Sequence, residues 1–333
     1  MRIVCLPGDG IGPEVTAAAV RVLEALPLEV ELEERSFGGA AIHATGTPLP
    51  PETLSACLEA DAVLLGAVGL PEFDGAPVRP EQGLIGLRRE LDVYANLRPA
   101  RGGDVDLVIV RELVGGLYYG ARGRREDGSA FDTCDYHPNQ IERLVRRGFE
   151  LARTRGGRLT SVDKANVLET SRLWREIATA TAPQYPDVRL EHMLVDNAAM
   201  QLVLAPARFD VIATENTFGD ILSDVAAGVT GGLGLAASAS LGDAGPGIFE
   251  PVHGSAPDIA GRGIANPAAM LRSVSLLLEH AADRPELARA LDAAVDRALE
   301  TAPTPDLGGS ATTAGFTDAV LDALSVDAAA RGA

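Results

Sequence analysis

The stretch RLTSVDKANVLETSRLWREIATATA, residues 158–182, predicts one strand, one loop and one helix. Residues 158–163 have the pattern of a buried strand, and residues 168–182 have that of a helix. The loop between them carries Lys164, the single lysine among 29 basic residues. Arginine stays protonated at any working pH, whereas a desolvated or cation-crowded lysine can accept a proton. Lys164 is therefore a candidate general acid or base, the alternative being chance survival where only a compact cation matters.

Strand-like and helix-like segments alternate along most of the chain. Residues 2–7 have the pattern of a buried strand, and residues 12–26 place apolar side chains on one helical stripe. Such alternation predicts an α/β fold with a largely parallel sheet, whose sites lie at the carboxyl ends of the strands. Residues 122–137 interrupt it with polar residues and a Glu-Asp-Gly-Ser turn signal, so they are predicted to form a projecting hairpin.

Length, charge and cysteine content limit the classes to which the protein can belong. At 333 residues the chain is expected to form two domains or one large α/β unit. The net charge of −18 argues against general binding to nucleic acid or to anionic membranes. No apolar run has membrane-spanning length, and the N-terminus lacks the features of a signal peptide. Three widely spaced cysteines predict reduced thiols in a cytoplasmic protein.

Half of the arginines lie between Arg88 and Arg158, and some of them follow apolar runs. Arg111 follows LVIV and Arg98 follows YANL, so each is predicted to end a buried strand. A buried guanidinium needs an anionic partner, which is either a structural carboxylate or a substrate carboxylate held by two hydrogen bonds. Arg88 is a candidate third arm of such a clamp. Tyr118 follows two glycines and can reach a site, although buried tyrosines are more often structural.

Asp220 and Asp224 are four residues apart in a predicted helix, FGDILSDVAAG, which places both carboxylates on one face. Two such carboxylates repel unless a cation lies between them, and a divalent metal with oxygen ligands fits. The alternative is an acidic solvent face near a helix N-terminus. Asp196 is predicted to end the strand RLEHMLVD, at the same edge of the sheet as Lys164. Together the four groups predict a site at this edge.

Two glycine-rich segments are candidates for a nucleotide site. The first, GDGIG at residues 8–12, lacks the G-x-G-x-x-G spacing of the dinucleotide fingerprint and is discounted. The second, HGSAPDIAGRGIANP at residues 253–267, has backbone amides that can bind a phosphate. Its Asp258 can bind ribose hydroxyls while repelling a 2′-phosphate. A plain glycine-rich turn is the alternative interpretation.

Seven blocks, in order over nearly the whole chain, resemble the β-decarboxylating dehydrogenases of the isocitrate/isopropylmalate family, and most closely its bacterial isopropylmalate branch. The blocks are LPGDGIGPEV, LRRELDVYANLRP, VRELVGGLYYG, SVDKANVLE, YPDVRLEHMLVDNAAMQLV, ATENTFGDILSD and EPVHGSAPDIAGRGIANP. The resemblance implies a two-domain isopropylmalate-dehydrogenase-like fold with a largely parallel sheet and flanking helices, not a typical Rossmann fold. It places an NAD-binding domain at residues 1–97 and 232–333. Residues 98–231 would form the dimerisation and substrate–metal domain, with an arm at about 120–138 that clasps the partner subunit.

The resemblance also implies a reaction, the metal- and NAD-dependent oxidative decarboxylation of 3-isopropylmalate in leucine biosynthesis. Arg88, Arg98 and Arg111 would bind the substrate carboxylates. Mg²⁺ or Mn²⁺ would be held by Asp220 and Asp224, with Asp196 from the second subunit of a homodimer. Lys164 of that subunit would take the hydroxyl proton, and Tyr118 would protonate the product carbon. Asp196 would thus also contact the substrate.

The same resemblance assigns cofactor and side-chain pockets. The residues implied to bind NAD are His253, Gly254, Ser255, Ala256, Pro257, Asp258, Ile259, Asn266 and Asn166. The pocket for the branched alkyl group would be formed by Glu81, Leu84 and Ile85, where the apolar pair favours isopropylmalate over isocitrate. Two departures from the family pattern are a short connection between Arg98 and Arg111 and Leu70 in place of a glycine. They leave open a paralogue that acts on another 3-substituted malate, of the 3-alkylmalate, homoisocitrate or tartrate type.

Overall fold

The computed structural model describes residues 1–331, with side chains for residues 1–326. Its strands, in chain order, are β1 (Arg2–Gly8), β2 (Glu31–Glu34), β3 (Ala62–Ala67), β4 (Ala95–Gly102), β5 (Val105–Glu112), β6 (Arg122–Arg124), β7 (Ala130–Asp132), β8 (Arg158–Asp163), β9 (Arg189–Leu194), β10 (Val211–Thr214), β11 (Ala237–Leu241) and β12 (Gly247–Pro251). Its α-helices are α1 (Gly12–Ala25), α2 (Gly38–Thr45), α3 (Pro51–Leu58), α4 (Pro80–Glu90), α5 (Pro138–Arg153), α6 (Glu169–Thr181), α7 (Val195–Leu204), α8 (Asn216–Val229), α9 (Ala268–His280), α10 (Pro285–Thr301) and α11 (Thr313–Arg331).

The chain folds as two units, of which unit 1 comprises Met1–Leu91 and the chain from Leu233 onwards. Its strands follow the order β2–β1–β3–β12–β11. β1 pairs in parallel with β2 and β3, and β12 pairs in parallel with β3 and antiparallel with β11. β3 is buried along its whole length, as expected for an inner strand of a parallel sheet, which explains its continuous apolar sequence AVLLGA.

Unit 2 comprises Asp92–Gly232, with strands in the order β4–β5–β10–β8–β9. β5, β10, β8 and β9 are parallel neighbours, so the carboxyl ends of these strands meet at one edge. β4 runs antiparallel to β5 and is joined to it by a tight turn at Gly103, whose φ is +60°. Helices α7 and α8 pack on the sheet through a core that includes Val162, Leu202, Ile212 and Leu222.

The structure confirms the α/β class, the largely parallel pairing and the hairpin predicted in residues 122–137, where β6 pairs antiparallel with β7. Two local predictions are wrong. Arg98 does not end a strand, because β4 continues in register with β5 as far as Gly102. Asp196 is the second residue of α7, because β9 ends at Leu194.

The units separate at Leu91/Asp92, about six residues before the predicted boundary at 97/98, and at Gly232/Leu233, one residue after the predicted boundary at 231/232. The roles assigned to these domains from the sequence stay predictions. None of the helices within residues 1–331 combines the length and the hydropathy that spanning a bilayer requires.

Candidate active site

A cluster of charged side chains in unit 2 is centred on Arg111, near the carboxyl end of β5. Its neighbour across the parallel pairing is Thr214, the last residue of β10, and α8 begins two residues later. Arg111 is only 3% exposed, and its Nη1 forms an ion pair with the Asp220 carboxylate. A Cβ on Gly219 would lie 2.6 Å from Arg111 Cγ. Glycine is required there because any side chain would hold the helix away from the guanidinium.

Arg98, in the middle of β4, lies close to the carboxylates of both Asp220 and Asp224. Its Nη1 lies 3.4 Å from Asp220 Oδ1 and 3.5 Å from Asp224 Oδ1, and donates a hydrogen bond to Ser223 Oγ at 2.7 Å. Its Nε donates to Asn96 Oδ1, also at 2.7 Å. Two guanidinium groups from adjacent strands therefore converge on two carboxylates one helical turn apart. The arrangement suits an anionic ligand that carries several carboxylates.

Tyr118 lies in a short 3-10 turn, Gly116–Tyr118, that follows β5. Its hydroxyl donates a hydrogen bond to Asp220 Oδ2 at 3.1 Å, and the Arg111 guanidinium carbon lies 5.8 Å from the centre of its ring. Burial, and then the neighbouring Asp220 charge, raise the pKa of Tyr118 above its usual value. The phenol is thus fully protonated at neutral pH and can serve as a proton donor.

The donor chemistry of Asp220 and Asp224 fits a divalent cation, because hard cations prefer carboxylate oxygens. Burial, the largest cause, raises the pKa of Asp224, Arg98 opposes it, and Asp220 adds to it. No group of three or more acidic, histidine or cysteine side chains among residues 1–326 is placed to hold a metal. The pair can therefore supply part of a ligand set, and the remaining ligands have to come from elsewhere.

Lys164 and Asp196 form a second pair in unit 2. The parallel pairing of β8 with β9 ends at Asp163 opposite Leu194, which brings the Lys164 loop next to the start of α7. Lys164 Nζ lies 2.6 Å from Asp196 Oδ1, and this ion pair holds the pKa of Asp196 below its usual value. Buried Asp163 fixes the lysine loop, since it accepts hydrogen bonds from Ala165 N and from two guanidinium nitrogens of Arg175. Within the described residues neither member of the pair contacts Asp220 or Asp224.

In unit 1, the residues predicted for substrate selection lie along one face of α4. Glu81, Leu84, Ile85 and Arg88 follow helical spacing and are exposed or half-buried, whereas Leu87 on the other face is buried. Arg88 Nη2 donates a hydrogen bond to Glu250 Oε1 at 2.7 Å, with both side chains less than 15% exposed. This face of α4 therefore combines the apolar side chains of Leu84 and Ile85 with the Arg88 cation, which is bound to Glu250.

The predicted cofactor loop of unit 1 is fixed to the turn between β1 and α1. Ser255 O accepts a hydrogen bond from Ile11 N at 2.8 Å, and Ser255 Oγ donates to Gly69 O at 2.5 Å. A Cβ on Gly10 would overlap the Ser255 carbonyl oxygen, and Gly10 has a φ of +57°. His253 Nε2 is buried and has no partner within the described chain, while burial lowers the pKa of the ring. A neutral imidazole with an open nitrogen fits a bound nucleotide.

Comparisons with known proteins agree with this arrangement. The family described as isocitrate/isopropylmalate dehydrogenase matches residues 2–320. A 3-isopropylmalate dehydrogenase of Zymomonas mobilis is 51% identical over 98% of this chain and 100% of its own length. One from Anaeromyxobacter dehalogenans is also 51% identical, over 97% of this chain and 99% of its own length. The chain belongs to the isocitrate/isopropylmalate dehydrogenase family.

Solved structures of this family have the same fold. An isocitrate dehydrogenase from Methylococcus capsulatus superposes with a TM-score of 0.91 at 39% identity, covering 97% of this chain and 99% of that one. A β-decarboxylating dehydrogenase from Thermococcus kodakarensis gives a TM-score of 0.84 at 38% identity, covering 98% and 96%. The isopropylmalate-dehydrogenase-like fold expected from the sequence is thereby confirmed.

The remaining residues predicted to bind the cofactor of this dehydrogenase differ in setting. Gly254, Pro257 and Asp258 are exposed, and Ala256 and Ile259 are partly exposed. Asn266 is buried, donates to Asp306 Oδ2 at 3.1 Å and accepts from Ala268 N at 3.0 Å, so it caps the start of α9. Asn166 is exposed and lies in unit 2, two residues after Lys164.

Sequence reasoning missed two buried polar residues that organise these sites. Asp9 is 2% exposed and accepts hydrogen bonds from Gly39 N, Ala40 N and Gly69 N at 2.9, 3.0 and 2.9 Å. The sequence signal is the acid between two glycines in GDGIG, a feature that the dinucleotide fingerprint does not include. Asn216 is completely buried beside Arg111. It stands at the start of the same helix as Asp220, and no local sequence pattern marks it.

Proposed function

We propose that this chain catalyses the NAD- and metal-dependent oxidative decarboxylation of (2R,3S)-3-isopropylmalate to 4-methyl-2-oxopentanoate and CO₂, a step of leucine biosynthesis. The observation that carries the proposal is the convergence of Arg98, Arg111 and the Tyr118 hydroxyl on Asp220. Cations for a dicarboxylate and a protonated phenol are the groups that this reaction needs. The relatives named 3-isopropylmalate dehydrogenase, similar over nearly their full length, support the choice of substrate.

The carboxylates of the malate are bound by arginines. Arg98 and Arg111 present two guanidinium groups within unit 2, and Arg88 presents a third on α4 of unit 1. Planar guanidinium groups bind carboxylates through two parallel hydrogen bonds, which fixes the orientation of the substrate as well as its affinity. A divalent cation held by Asp220 and Asp224, Mg²⁺ or Mn²⁺, would supply Lewis-acid polarisation of substrate oxygen.

Proton transfers are assigned to Lys164 and Tyr118. NAD⁺, when bound, would supply the acceptor for the hydride of the carbinol carbon. Lys164 takes the hydroxyl proton as that hydride leaves, and the oxidised substrate is a β-keto acid. Cleavage of the carbon–carbon bond releases CO₂ and leaves its electron pair on the substrate. The Tyr118 phenol then gives its proton to the carbon that lost CO₂. Lys164 thus acts as a general base, and Tyr118 acts as a general acid.

A homodimer with shared active sites accounts for the separate Lys164–Asp196 pair. In this proposal Lys164 and Asp196 of one subunit complete the Asp220–Asp224 site of the other, with Asp196 as a metal ligand. Helices α7 and α8 expose an apolar surface. In a twofold dimer, this surface on one subunit would pack against the same surface on the other. Its largest exposed side chains are Met200 (50%), Val203 (61%), Leu204 (70%) and Ile221 (56%). The β6–β7 hairpin is the candidate arm for clasping the partner.

NAD is proposed as the cofactor, rather than NADP, because Asp258 would accept ribose hydroxyls and repel a 2′-phosphate. The residues implied by the family resemblance, His253–Ile259 together with Asn266 and Asn166, are its proposed contacts. A cytoplasmic location is proposed from the three unpaired cysteines, Cys5, Cys57 and Cys134. Nucleic acid and membranes are not proposed as partners, because the net charge is −18.

A second candidate substrate is another 3-substituted malate. Leu70 stands where the family resemblance implies a glycine, and a Cβ on Gly39 would lie 2.7 Å from its Cδ1. The side chain thus packs against the start of α2 next to Gly69. A changed surface at this position favours a paralogue with altered specificity. The name of the Methylococcus capsulatus structure also keeps isocitrate among the substrates to be tested.

The deciding experiment is NADH formation with 3-isopropylmalate, 3-methylmalate, malate, tartrate, isocitrate and homoisocitrate, each with and without Mn²⁺. We expect a metal-dependent maximum of kcat/KM on 3-isopropylmalate. A maximum on another acid would reject this substrate and keep the chemistry. Leu84→Ser should lower kcat/KM for 3-isopropylmalate relative to malate by about tenfold, the effect of losing an apolar contact. Leu58→Ser, at an exposed position on α3, is the matched control.

A further inference from the structure

We infer that Asn216 is a positioning residue that aligns the Arg111 guanidinium with the turn carrying Tyr118, so that one buried amide sets both the carboxylate clamp and the proton donor. The inference rests on the proposed function, since it assigns a role in that reaction. Asn216 is the first residue of α8 and is completely buried. Its side-chain hydrogen bonds within the described residues go to Arg111 and Gly115 rather than to Tyr118 or Asp220, so it acts through other residues.

One end of the Asn216 amide binds Arg111. Its Oδ1 accepts hydrogen bonds from Arg111 Nε at 3.1 Å and from Nη2 at 2.8 Å, which fixes one edge of the guanidinium plane. Asp220 binds the third nitrogen, Nη1. Because the amide is neutral, it orients the guanidinium without cancelling its charge. The cation therefore keeps its attraction for a substrate carboxylate.

The other end of the amide binds the Tyr118 turn. Asn216 Nδ2 donates a hydrogen bond to Gly115 O at 3.1 Å, at the residue that precedes the 3-10 turn Gly116–Tyr118. The same segment is also held by Glu112, which accepts hydrogen bonds from Val114 N and Gly115 N. The Asn216 amide thus links Arg111 to the backbone of this turn, while Asp220 links Arg111 to the Tyr118 hydroxyl at its end.

The chemistry of the two neighbours requires an amide at this position. Reversing the amide would set its NH₂ against the guanidinium donors and its oxygen against the Gly115 carbonyl, so only one orientation is possible. Aspartate would keep the acceptor for Arg111 but would lose the donor to Gly115 O and add a negative charge beside the clamp. Serine is too short to bridge both partners.

The backbone of Asn216 is held independently of its side chain. Its N–H donates to Tyr136 Oη at 2.9 Å, and Glu215 caps the helix by accepting from Thr217 N and Phe218 N. The Tyr136 hydroxyl is itself bound to Glu215 at 3.1 Å. The start of α8 therefore keeps its caps when the side chain of Asn216 is changed. This separation makes a test of positioning possible.

The test compares Asn216→Asp and Asn216→Ser with the wild-type enzyme, each as the full-length chain. The substrate is whichever of the six acids gives the wild type its highest kcat/KM. We expect kcat/KM for the malate to fall by about tenfold to a hundredfold, the range for losing a hydrogen bond to a charged or buried group. Both a higher KM for the malate and a lower kcat are expected, because the clamp and the proton donor are both displaced. The KM for NAD⁺ should change little, and both variants should fold with a lowered melting temperature, because Gly115 O loses a buried donor. Asn139→Asp, at an exposed position on α5, is the matched control.

A double-mutant cycle with Tyr118→Phe separates positioning from a general loss of structure. If Asn216 acts partly through Tyr118, Asn216→Asp lowers kcat less in the Tyr118→Phe background than in the wild type. Strict additivity in kcat, or wild-type kinetics in both variants, would overturn the inference. So would failure of both variants to fold while Asn139→Asp folds, because Asn216 would then be purely structural. A wild-type enzyme that turns over none of the six acids would reject the proposed function itself, and the inference with it.

Discussion

The chemical cluster of unit 2 and the cofactor loop of unit 1 are built by different means. In unit 2, side-chain ion pairs join Asp220 to Arg98 and Arg111. The neutral amide of Asn216 accepts a hydrogen bond from Arg111. In unit 1, the loop is held by the hydrogen bond from Ile11 N to Ser255 O, by the Ser255 hydroxyl on Gly69 O and by the close approach of Gly10. The site in unit 2 depends on which side chains are present. The loop in unit 1 depends mainly on Gly10 having no side chain.

This difference follows from what each site has to bind. A dicarboxylate and a metal need formal charges, and buried charges must be paired with one another to avoid the cost of desolvation. A nucleotide is proposed to be bound largely through backbone amides and a few polar atoms, which need a fixed chain path. We therefore expect substitutions in unit 2 to affect catalysis before stability. In unit 1 they should affect stability and cofactor binding together.

The largest effect should come from Lys164→Met, which removes the proposed base while preserving its length. We expect kcat to fall by roughly a thousandfold or more, at the upper part of the range for general acid–base catalysis. NAD⁺ binding and the melting temperature should stay close to wild type, because Lys164 is half-buried and, among residues 1–326, its ammonium is bound to Asp196 alone. Steady-state kinetics and NAD⁺ titration provide the measurements.

The control for this substitution is Arg289→Met, which removes an exposed cation from α10. It should leave kcat unchanged. Appreciable turnover in Lys164→Met, measured beside this control, would remove Lys164 from its assigned role. The contrast between a unit 2 site that depends on side chains and a unit 1 site that depends on the backbone would then lose its main support.

Next in size is Gly10→Ala in unit 1. The new Cβ would overlap the Ser255 carbonyl oxygen, and the residue has a φ of +57°. Overpacking against backbone and the left-handed conformation together should lower the free energy of unfolding by about 4 kcal/mol. Urea denaturation measures this loss, and the KM for NAD⁺ should rise with it.

Gly46→Ala is the matched control, since Gly46 has a φ of +83° but nothing within 4 Å of its added Cβ. It should lower the free energy of unfolding by about 1 kcal/mol, the cost of the left-handed conformation alone. Equal losses in the two variants would show that conformation, and not the close contact with Ser255, determines the effect. The contrast between the two units would need revision in that case.

A smaller effect is expected from Glu112→Gln at the end of β5. Burial raises the pKa of Glu112 to about 7, although it accepts hydrogen bonds from Val114 N and Gly115 N. A carboxyl whose folded pKa exceeds its unfolded value binds its proton more tightly when folded. Its stabilising contribution is thus complete below the unfolded value and is lost as the pH rises towards 7, by up to about 3 kcal/mol.

Urea denaturation of wild type and Glu112→Gln from pH 5 to pH 8 tests this expectation. The wild type should lose stability relative to the variant as the pH rises to about 7, and the difference should be nearly constant from there to pH 8. Glu126→Gln, on the exposed turn between β6 and β7, should follow the wild type at every pH. Parallel curves for wild type and Glu112→Gln would mean that Glu112 stays ionised in the folded protein.

Sequence by itself determined the local elements and several of the chemical groups. The apolar strands, the helix that places Asp220 and Asp224 on one face, and the position of Lys164 after β8 all follow from short-range periodicity. The family likewise followed from ordered blocks of residues. These features could be predicted because each depends on residues within a few positions of one another.

Only the tertiary structure decided which groups meet. Arg111 and Asp220 are 109 residues apart, and their contact depends on the pairing of β5 with β10 and on the close approach that Gly219 allows. Arg98 proved to lie within β4 because the hairpin extends to Gly102, and Asp196 lies in α7 because β9 ends at Leu194. Asn216 acquires its partners only once β10, α8 and the Tyr118 turn are in place. Such contacts are set by strand register and packing between distant segments, which local patterns do not encode.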